Sequence, residues 1–325
     1  MYLYAPLLAV AAFLASGTTS LARRAALRWK IVDTPDGVRK HHAAITPLLG
    51  GAGVFAALGM ILAPLLLGAT LGFGPAADAP GAIPLLLGLM LSGLGFFLVG
   101  LCDDAWNLRP FDKLLGQFAA VLPYLLCDRT IEVVQLMGGP VNAGPLGAVL
   151  TLVWLLLCVN ALNLLDGHDG VAVALPTPGA LAGFLRYNGP PAKIFLGDAG
   201  SLPLGFLIGA LTIEVAVKRA VGLSLAVPLV LMMIPSFDTG MAILRRVLSG
   251  RSVMQGDLGH LHHCLVRLGL RGGQVPLAIG ALCLATGISV IVAQWWGSDL
   301  PAYVLGISII AGLVGAKVFG HGELR

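Results

Sequence analysis

Apolar stretches long enough to cross a bilayer recur through the chain, separated by short polar stretches rich in acids, histidines and glycines. The apolar runs cover 2–21, 48–71, 83–101, 114–128, 146–163, 202–217, 220–235, 275–296 and 301–319. About 20 apolar residues in a helix span the ~30 Å hydrocarbon core, and a helix satisfies its own backbone polar groups at that depth. The pattern predicts an all-α, polytopic membrane helical bundle of about nine full spans, with residues 1–325 forming a single domain.

Residues 171–193 need separate treatment. They hold Pro176, Pro178, Pro190 and Pro191, which favour bends over one continuous helix. At 1.5 Å per residue, these 23 residues could cross once but not twice. A single crossing would invert every later span and put Arg245, Arg246, Arg251, Arg267 and Arg271 outside, against the rule that basic segments stay cytoplasmic. The stretch is therefore expected not to cross, but to dip in as a re-entrant hairpin or lie against other helices.

Charge fixes the orientation. Arg23, Arg24, Arg28, Lys30, Arg39 and Lys40 crowd the segment after the first run, and Arg109 and Lys113 follow the third. These segments read as cytoplasmic, which places the N-terminus outside and every polar cluster on the cytoplasmic side. No basic residue precedes the first run, so 2–21 reads as a retained span and not a cleaved signal. A content of 57% hydrophobic and 11% charged residues leaves no room for a separate soluble domain, given about 25% charged in soluble proteins. The five cysteines, Cys102, Cys127, Cys158, Cys264 and Cys283, lack metal or disulfide spacing and read as apolar fillers. The basic charge suits a membrane surface and phosphorylated ligands, and no nucleic-acid-binding module is evident.

The candidate chemistry lies in five clusters. Asn160, Asn163, Asp166 and Asp169, with Gly167 and Gly170, close the fifth run. Acids at a membrane boundary are costly and usually functional, whereas an isolated Asp-Gly pair is an ordinary turn. Asp103 and Asp104 end the third run. Paired carboxylates suit Mg²⁺ held together with substrate phosphates, one of the two suits a base, and a solvated helix end is the plain alternative. Phe195, Gly197, Asp198, Gly200 and Ser201 resemble a phosphate- or metal-binding turn, or a simple loop. His260, His262 and His263 beside Arg267 suit an anionic diphosphate better than zinc, since no cysteine stands at zinc spacing. Arg39, Lys40 and His42 read as a topogenic cluster, a phosphate clamp, or both.

These motifs, in this order between about Val32 and Leu270, resemble the polyprenyl-phosphate N-acetylhexosamine-1-phosphate transferases, most closely the branch acting on undecaprenyl phosphate with UDP-N-acetylglucosamine or a related UDP-N-acetylhexosamine. The branch that uses UDP-MurNAc-pentapeptide is less similar. The resemblance implies a multi-pass enzyme of the bacterial inner membrane with a cytoplasmic active site. It implies transfer of a sugar-1-phosphate from the UDP-sugar to the lipid phosphate, with release of UMP and with Mg²⁺, Mn²⁺ being the alternative ion. It further implies that Asp198 ligates the metal, and that Asp103 and Asp104 help hold it or deprotonate the lipid phosphate. Asn163, Asp166, Asp169 and Phe195 would line the nucleotide pocket, with Asn160 beside them. Arg39, Lys40, His42, His260, His262 and His263 would meet phosphates or the sugar. A homodimer stays open.

The chain departs from the family pattern at three places. Residues 171–193 stand where two full spans are usual, His168 replaces an apolar residue, and Leu258 and Cys264 stand where arginines often flank the histidines. A non-catalytic relative or a transporter-like binder is the alternative class. Inverted repeats would favour the transporter, and the sequence has none.

Overall fold

The fold turns on a buried helix that begins at one of these acids, Asp198. In the computed structural model, which describes residues 4–33, 45–74, 76–79, 81–136, 139–165, 180–189, 191–217, 233–250, 261–270, 274–296 and 300–315, the elements are helical apart from two short ribbons. They are α1 (Tyr4–Trp29), α2 (Gly50–Leu71), α3 (Ala82–Trp106), α4 (Pro110–Leu126), α5 (Leu146–Leu165), α6 (Ala180–Asn188) and α7 (Asp198–Val217). After these come α8 (Met233–Leu248), α9 (Leu261–Arg267), α10 (Gln274–Trp296) and α11 (Leu300–Gly315).

Among the described residues, three helices are long and apolar enough to cross a membrane, over Gly50–Leu71, Ala82–Trp106 and Leu146–Asn163. Together with the other apolar helices they make this a helical membrane protein. The expected span 220–235 falls mostly on residues 218–232, which lie outside the described residues, as do 171–179 and 316–325.

Several boundaries differ from expectation for local reasons. The helix begun by the first run does not stop at the basic residues. α1 carries Arg23, Arg24 and Arg28 on its last turns before Lys30 turns left-handed at φ 57°, and cations are favourable at a helix C-terminus. Residues 32–33 and 46–47 are not free loop: Val32 pairs with Pro47 and Asp33 with Thr46 in an antiparallel ribbon, β1–β2 (Val32–Asp33, Thr46–Pro47). Residues 128–145, the link between the fourth and fifth apolar runs, contain a second ribbon, β3–β4 (Val133–Leu136, Gly139–Asn142), favoured by the β-branched Val133, Val134 and Val141. The all-α expectation therefore holds for the bundle but not for these links. Part of 237–274, which lies between the apolar runs 220–235 and 275–296, is also helical, since α8 runs on to Leu248 and α9 follows.

α3 packs against α4 and α7, α5 packs against α7, and α2 touches both α3 and α7. Leu202, Leu204, Phe206, Leu207, Ala210 and Ile213 of α7 are all buried. A helix apolar all round is a central one. Phe206 stacks on Phe96 at 5.2 Å between ring centres and meets Tyr124 edge-on at 5.6 Å. A second core joins α1, α2 and α6 to Leu162, Leu196, α9 and α10.

Candidate active site

Three helix ends meet at the start of α7. α3 runs on through Asp103 and Asp104 until Asn107 turns left-handed at φ 49° and donates its N–H to the Asp103 carbonyl at 2.8 Å. Asparagine tolerates that conformation better than most residues. Pro110 then starts α4, its fixed φ suited to a first helical position. The link is short enough that Lys113, one turn into α4, comes back over the acids of α3.

The α7 end is held by two neighbouring segments. Phe195 donates its N–H to the Pro47 carbonyl at 2.8 Å, and Gly50 and Gly51 donate to the carbonyls of Phe195 and Leu196 at 2.9 and 2.7 Å. Gly197 adopts φ 69°, a conformation that costs glycine nothing, and this aims α7 back into the bundle. Gly100 of α3 lets the α7 backbone touch it, since a Cβ there would lie 2.1 Å from the Asp198 carbonyl oxygen.

Asp104 caps α7 from outside. Its Oδ1 accepts the Asp198 N–H and its Oδ2 the Ala199 N–H, both at 2.9 Å. These are two of the donors that a helix start leaves without intrahelical partners, and an anion there also suits the helix dipole. Asp104 thus presents both its oxygens to backbone.

Asp103 and Asp198 face each other across one ammonium group. Lys113 Nζ donates to Asp103 Oδ2 at 3.1 Å, to Asn163 Oδ1 at 3.3 Å, and to Asp198 Oδ2. A lysine ammonium has three protons, and here each has an oxygen. Asp103 Oδ1 accepts the Leu108 N–H at 2.9 Å, which fixes the link. Asn163 donates to Asp198 Oδ1 at 2.7 Å and to Ser201 Oγ at 2.8 Å. The side chains of Lys113, Asp103 and Asp198 keep 18%, 19% and 21% exposure, so the cluster is largely desolvated yet still open to a ligand.

One turn deeper, Gln117 and Asn160 exchange hydrogen bonds, and Asn160 also donates to the Leu156 carbonyl at 2.8 Å. Asn160, expected at the substrate, is committed in this structure to bracing α5 against α4.

Of the sequence-predicted residues, Asp103, Asp104, Asn160, Asn163, Asp198 and Phe195 converge here. Arg39, Lys40, His42, Asp166, Asp169 and His260 lie outside the described residues, and His262 and His263 are placed by backbone on α9. Ser201, expected only as part of the turn, also joins through Asn163, and the structure adds Lys113 and Gln117. In the sequence Lys113 reads, with Arg109, only as a topogenic charge. The available signal was spacing: Lys113 and Gln117 stand one helical turn apart, like Asn160 and Asn163 on the facing helix.

The donor set fits a divalent cation. Asp103, Asp198 and the Asn163 amide oxygen already surround one positive charge, and Mg²⁺ is commonly held by one or two carboxylates plus substrate phosphates. Among the described residues, no three His, Cys, Asp or Glu side chains form a closed metal cage, so an ion here would need further oxygens from a ligand.

Comparison with known proteins points the same way. The model for "Glycosyl transferase family 4" matches residues 86–178 and 172–216, a region that includes Asp103, Lys113, Asn163 and Asp198. The chain is 29% identical over 329 residues to a probable undecaprenyl-phosphate N-acetylglucosaminyl 1-phosphate transferase of Bacillus subtilis (strain 168), covering 93% of this chain and 88% of that one. It is 30% identical over 293 residues to a decaprenyl-phosphate N-acetylglucosaminephosphotransferase of Mycobacterium leprae (strain TN), covering 74% and 71%. Identity is 28% over 318 residues to an undecaprenyl-phosphate alpha-N-acetylglucosaminyl 1-phosphate transferase of Salmonella typhi, covering 88% and 82%. With two acids, an asparagine and a lysine drawn together at the end of a membrane bundle, and with these relatives matching most of its length, the chain belongs to the polyprenyl-phosphate N-acetylhexosamine-1-phosphate transferases of glycosyl transferase family 4.

Proposed function

We propose that this enzyme transfers N-acetylglucosamine-1-phosphate, or a closely related N-acetylhexosamine-1-phosphate, from a UDP-sugar to undecaprenyl phosphate. The products are undecaprenyl-diphospho-sugar and UMP, a first membrane step toward a cell-envelope polysaccharide. The observation that carries the reading is the convergence of Asp103, Asn163 and Asp198 on Lys113 at the polar end of an apolar bundle. A long polyprenyl chain needs a site at a membrane boundary, and two anionic phosphates need cations there. The relatives' names support the acceptor class and the sugar phosphate.

In this mechanism an oxygen of the lipid phosphate bonds to the β-phosphorus of the UDP-sugar. The bond from that phosphorus to the bridging oxygen breaks, and its electron pair leaves with UMP. Asp198 and Asp103 would hold Mg²⁺, or Mn²⁺ in its place, which when bound neutralises charge between the two anions. Asp103 is also placed to take a proton from the lipid phosphate. Asp104 keeps Asp198 in position, and Lys113 offers its ammonium to phosphate oxygens. Asn163 orients Asp198, while Asp166, Asp169 and Phe195 line the nucleotide pocket. Arg39, Lys40, His42, His260, His262 and His263 bind phosphates or sugar. Positioning supplies much of the acceleration in such transfers.

The setting in this reading is a bacterial inner membrane, crossed nine times with the N-terminus outside and the site on the cytoplasmic face. The test is UMP release by purified membranes given undecaprenyl phosphate and a panel of UDP-sugars, with and without Mg²⁺. Release with a UDP-N-acetylhexosamine, abolished by EDTA and by Asp198→Asn, is expected. Unchanged Mg²⁺-dependent turnover in Asp198→Asn would remove Asp198 from the site.

A further inference from the structure

His262 and His263 stand on a helix too short to place itself. α9 has seven residues, Leu261–Arg267, and isolated helices of that length are unstable in water. Its orientation therefore depends on what holds it. Leu261, Cys264 and Leu265 form its buried face and join the core cluster that includes Leu162 and Leu196. Those two residues flank the site, one beside Asn163 and the other two positions before Asp198. α9 thus packs against α10 and shares one core with the segments that flank the site.

Its first turn is held from a different helix. Asp238 of α8, only 1% exposed, accepts the Leu261 N–H on Oδ1 at 2.7 Å. Leu261 follows His260 and precedes His262 and His263, so this bond fixes the backbone in the middle of the motif. α8 in turn packs against α5, the helix of Asn160 and Asn163. A continuous physical path therefore runs from Asn163 on α5 through α8 to the first residue of α9. A lone acid between apolar runs carries no signal in the sequence, so the role of Asp238 appears only in the fold.

We propose that Asp238 is a positioning residue that sets the His-x-His-His segment relative to the acid cluster through the Leu261 N–H. This rests on the transferase reading for its kinetic consequence. What the backbone donor needs is an acceptor oxygen, and asparagine serves a helix start as well as aspartate does. Asp238→Asn keeps that oxygen and Asp238→Ala removes it, so the two variants separate capping from charge.

The experiment compares Asp238→Ala, Asp238→Asn, His262→Ala/His263→Ala, and that double variant combined with Asp238→Ala, all as full chains in membranes. Asp238→Ala is expected to lower kcat/KM for the UDP-sugar about 10- to 100-fold, the scale of a misplacement near 1 Å. The loss should divide between kcat and KM as it does in the histidine variant. Asp238→Asn should stay within about threefold of the unaltered chain. In the His262→Ala/His263→Ala background Asp238→Ala should cost less than about twofold, because groups acting as one unit are not additive. Backbone hydrogen exchange supplies a readout independent of turnover: amides 261–267 should lose protection in Asp238→Ala and keep it in Asp238→Asn. Multiplying losses in the combined variant, an Asp238→Asn as impaired as Asp238→Ala, or unchanged α9 exchange in Asp238→Ala would overturn the proposal. Should Asp238→Ala not accumulate, Asp238→Asn decides alone: near-normal turnover with a protected α9 supports capping, and loss of either defeats it. No turnover in the unaltered chain would count against the transferase reading and leave the exchange result standing.

Discussion

Gln117 and Asn160 hold each other by a reciprocal amide pair, with Gln117 donating at 3.2 Å and Asn160 at 2.8 Å. The pair lies one turn below Lys113 on α4 and one turn below Asn163 on α5, so it fixes the register in which those two residues meet. Gln117 is 1% exposed, and an unpaired amide at such a place costs about 1–3 kcal/mol.

Gln117→Leu should therefore lower both thermal stability and kcat/KM, the latter about tenfold, by letting Lys113 drift from Asn163. The exchange Gln117→Asn with Asn160→Gln keeps one long and one short amide across the gap. It should recover most of what either single change loses. Melting curves in detergent and UMP-release kinetics check this, and losses that simply multiply would mean the two amides do not act as a pair.

Lys113 and Arg109 look alike in sequence as orienting charges, and the structure separates them. Lys113 bridges Asp103, Asn163 and Asp198, whereas Arg109 is exposed at the start of α4. Lys113→Met should cost at least about 100-fold in kcat/KM, comparable to removing a donor aimed at developing charge, while Arg109→Ala should stay within about threefold. Equal effects of the two changes would return Lys113 to a purely topogenic role.

The far end of α7 makes an opposite prediction. Glu214, 6% exposed, accepts from Tyr124 Oη at 3.2 Å and from Arg129 Nη1 at 3.3 Å, and Arg129 Nη2 also donates to the Gly81 carbonyl. Sixteen residues of helix place Glu214 about 24 Å from Asp198. Removing one member of a buried ion pair costs about 3–5 kcal/mol, so Glu214→Ala should lower the melting temperature sharply. Turnover per folded molecule should change less than about twofold. Replacing both residues, as Arg129→Met with Glu214→Met, should be milder than either single change.

How much was legible follows from what each signal depends on. The apolar runs of α2, α3 and α5 read directly, because burial in lipid demands length and hydropathy alone. Asp103, Asn163 and Asp198 were legible because charged and amide groups at a membrane boundary stand out. Lys113 and Gln117 were hidden, since their role appears only when α4 folds back over α3. Asp104 was legible as an acid but not as a cap, because the N–H groups it receives belong to a helix some ninety residues later. Trp29, eight residues past the expected end of the first span, shows that apolarity marks where a helix leaves the membrane and not where it stops. The first ribbon was not legible because Val32–Asp33 and Thr46–Pro47 are two residues each, below any periodic signal.

The shortened stretch before α7 gives the last prediction. Asn163 Nδ2 lies 2.7 Å from Asp198 Oδ1, so the 34 residues from Leu164 to Gly197 leave one site and return to it. That allows an even number of crossings, and two helical crossings of ~30 Å would need about 40 residues before any turn. The described part agrees with none. α6 has nine residues, about 13 Å, and lies beside α1 with Gly183 against Ala12 and Ser16. Arg23 Nε donates to the Lys193 carbonyl at 3.2 Å, so the chain emerges level with the basic end of α1. Asn188 is 4% exposed and donates to the Ile194 carbonyl at 3.0 Å, which makes it a poor labelling site, whereas Lys193 is exposed. In a chain freed of its own cysteines, Lys193→Cys and Ala172→Cys should both react with an impermeant thiol reagent from the cytoplasmic side only. Reaction from opposite faces would require an odd number of crossings between them, and neither the nine-span arrangement nor a shared face for the acids would survive it.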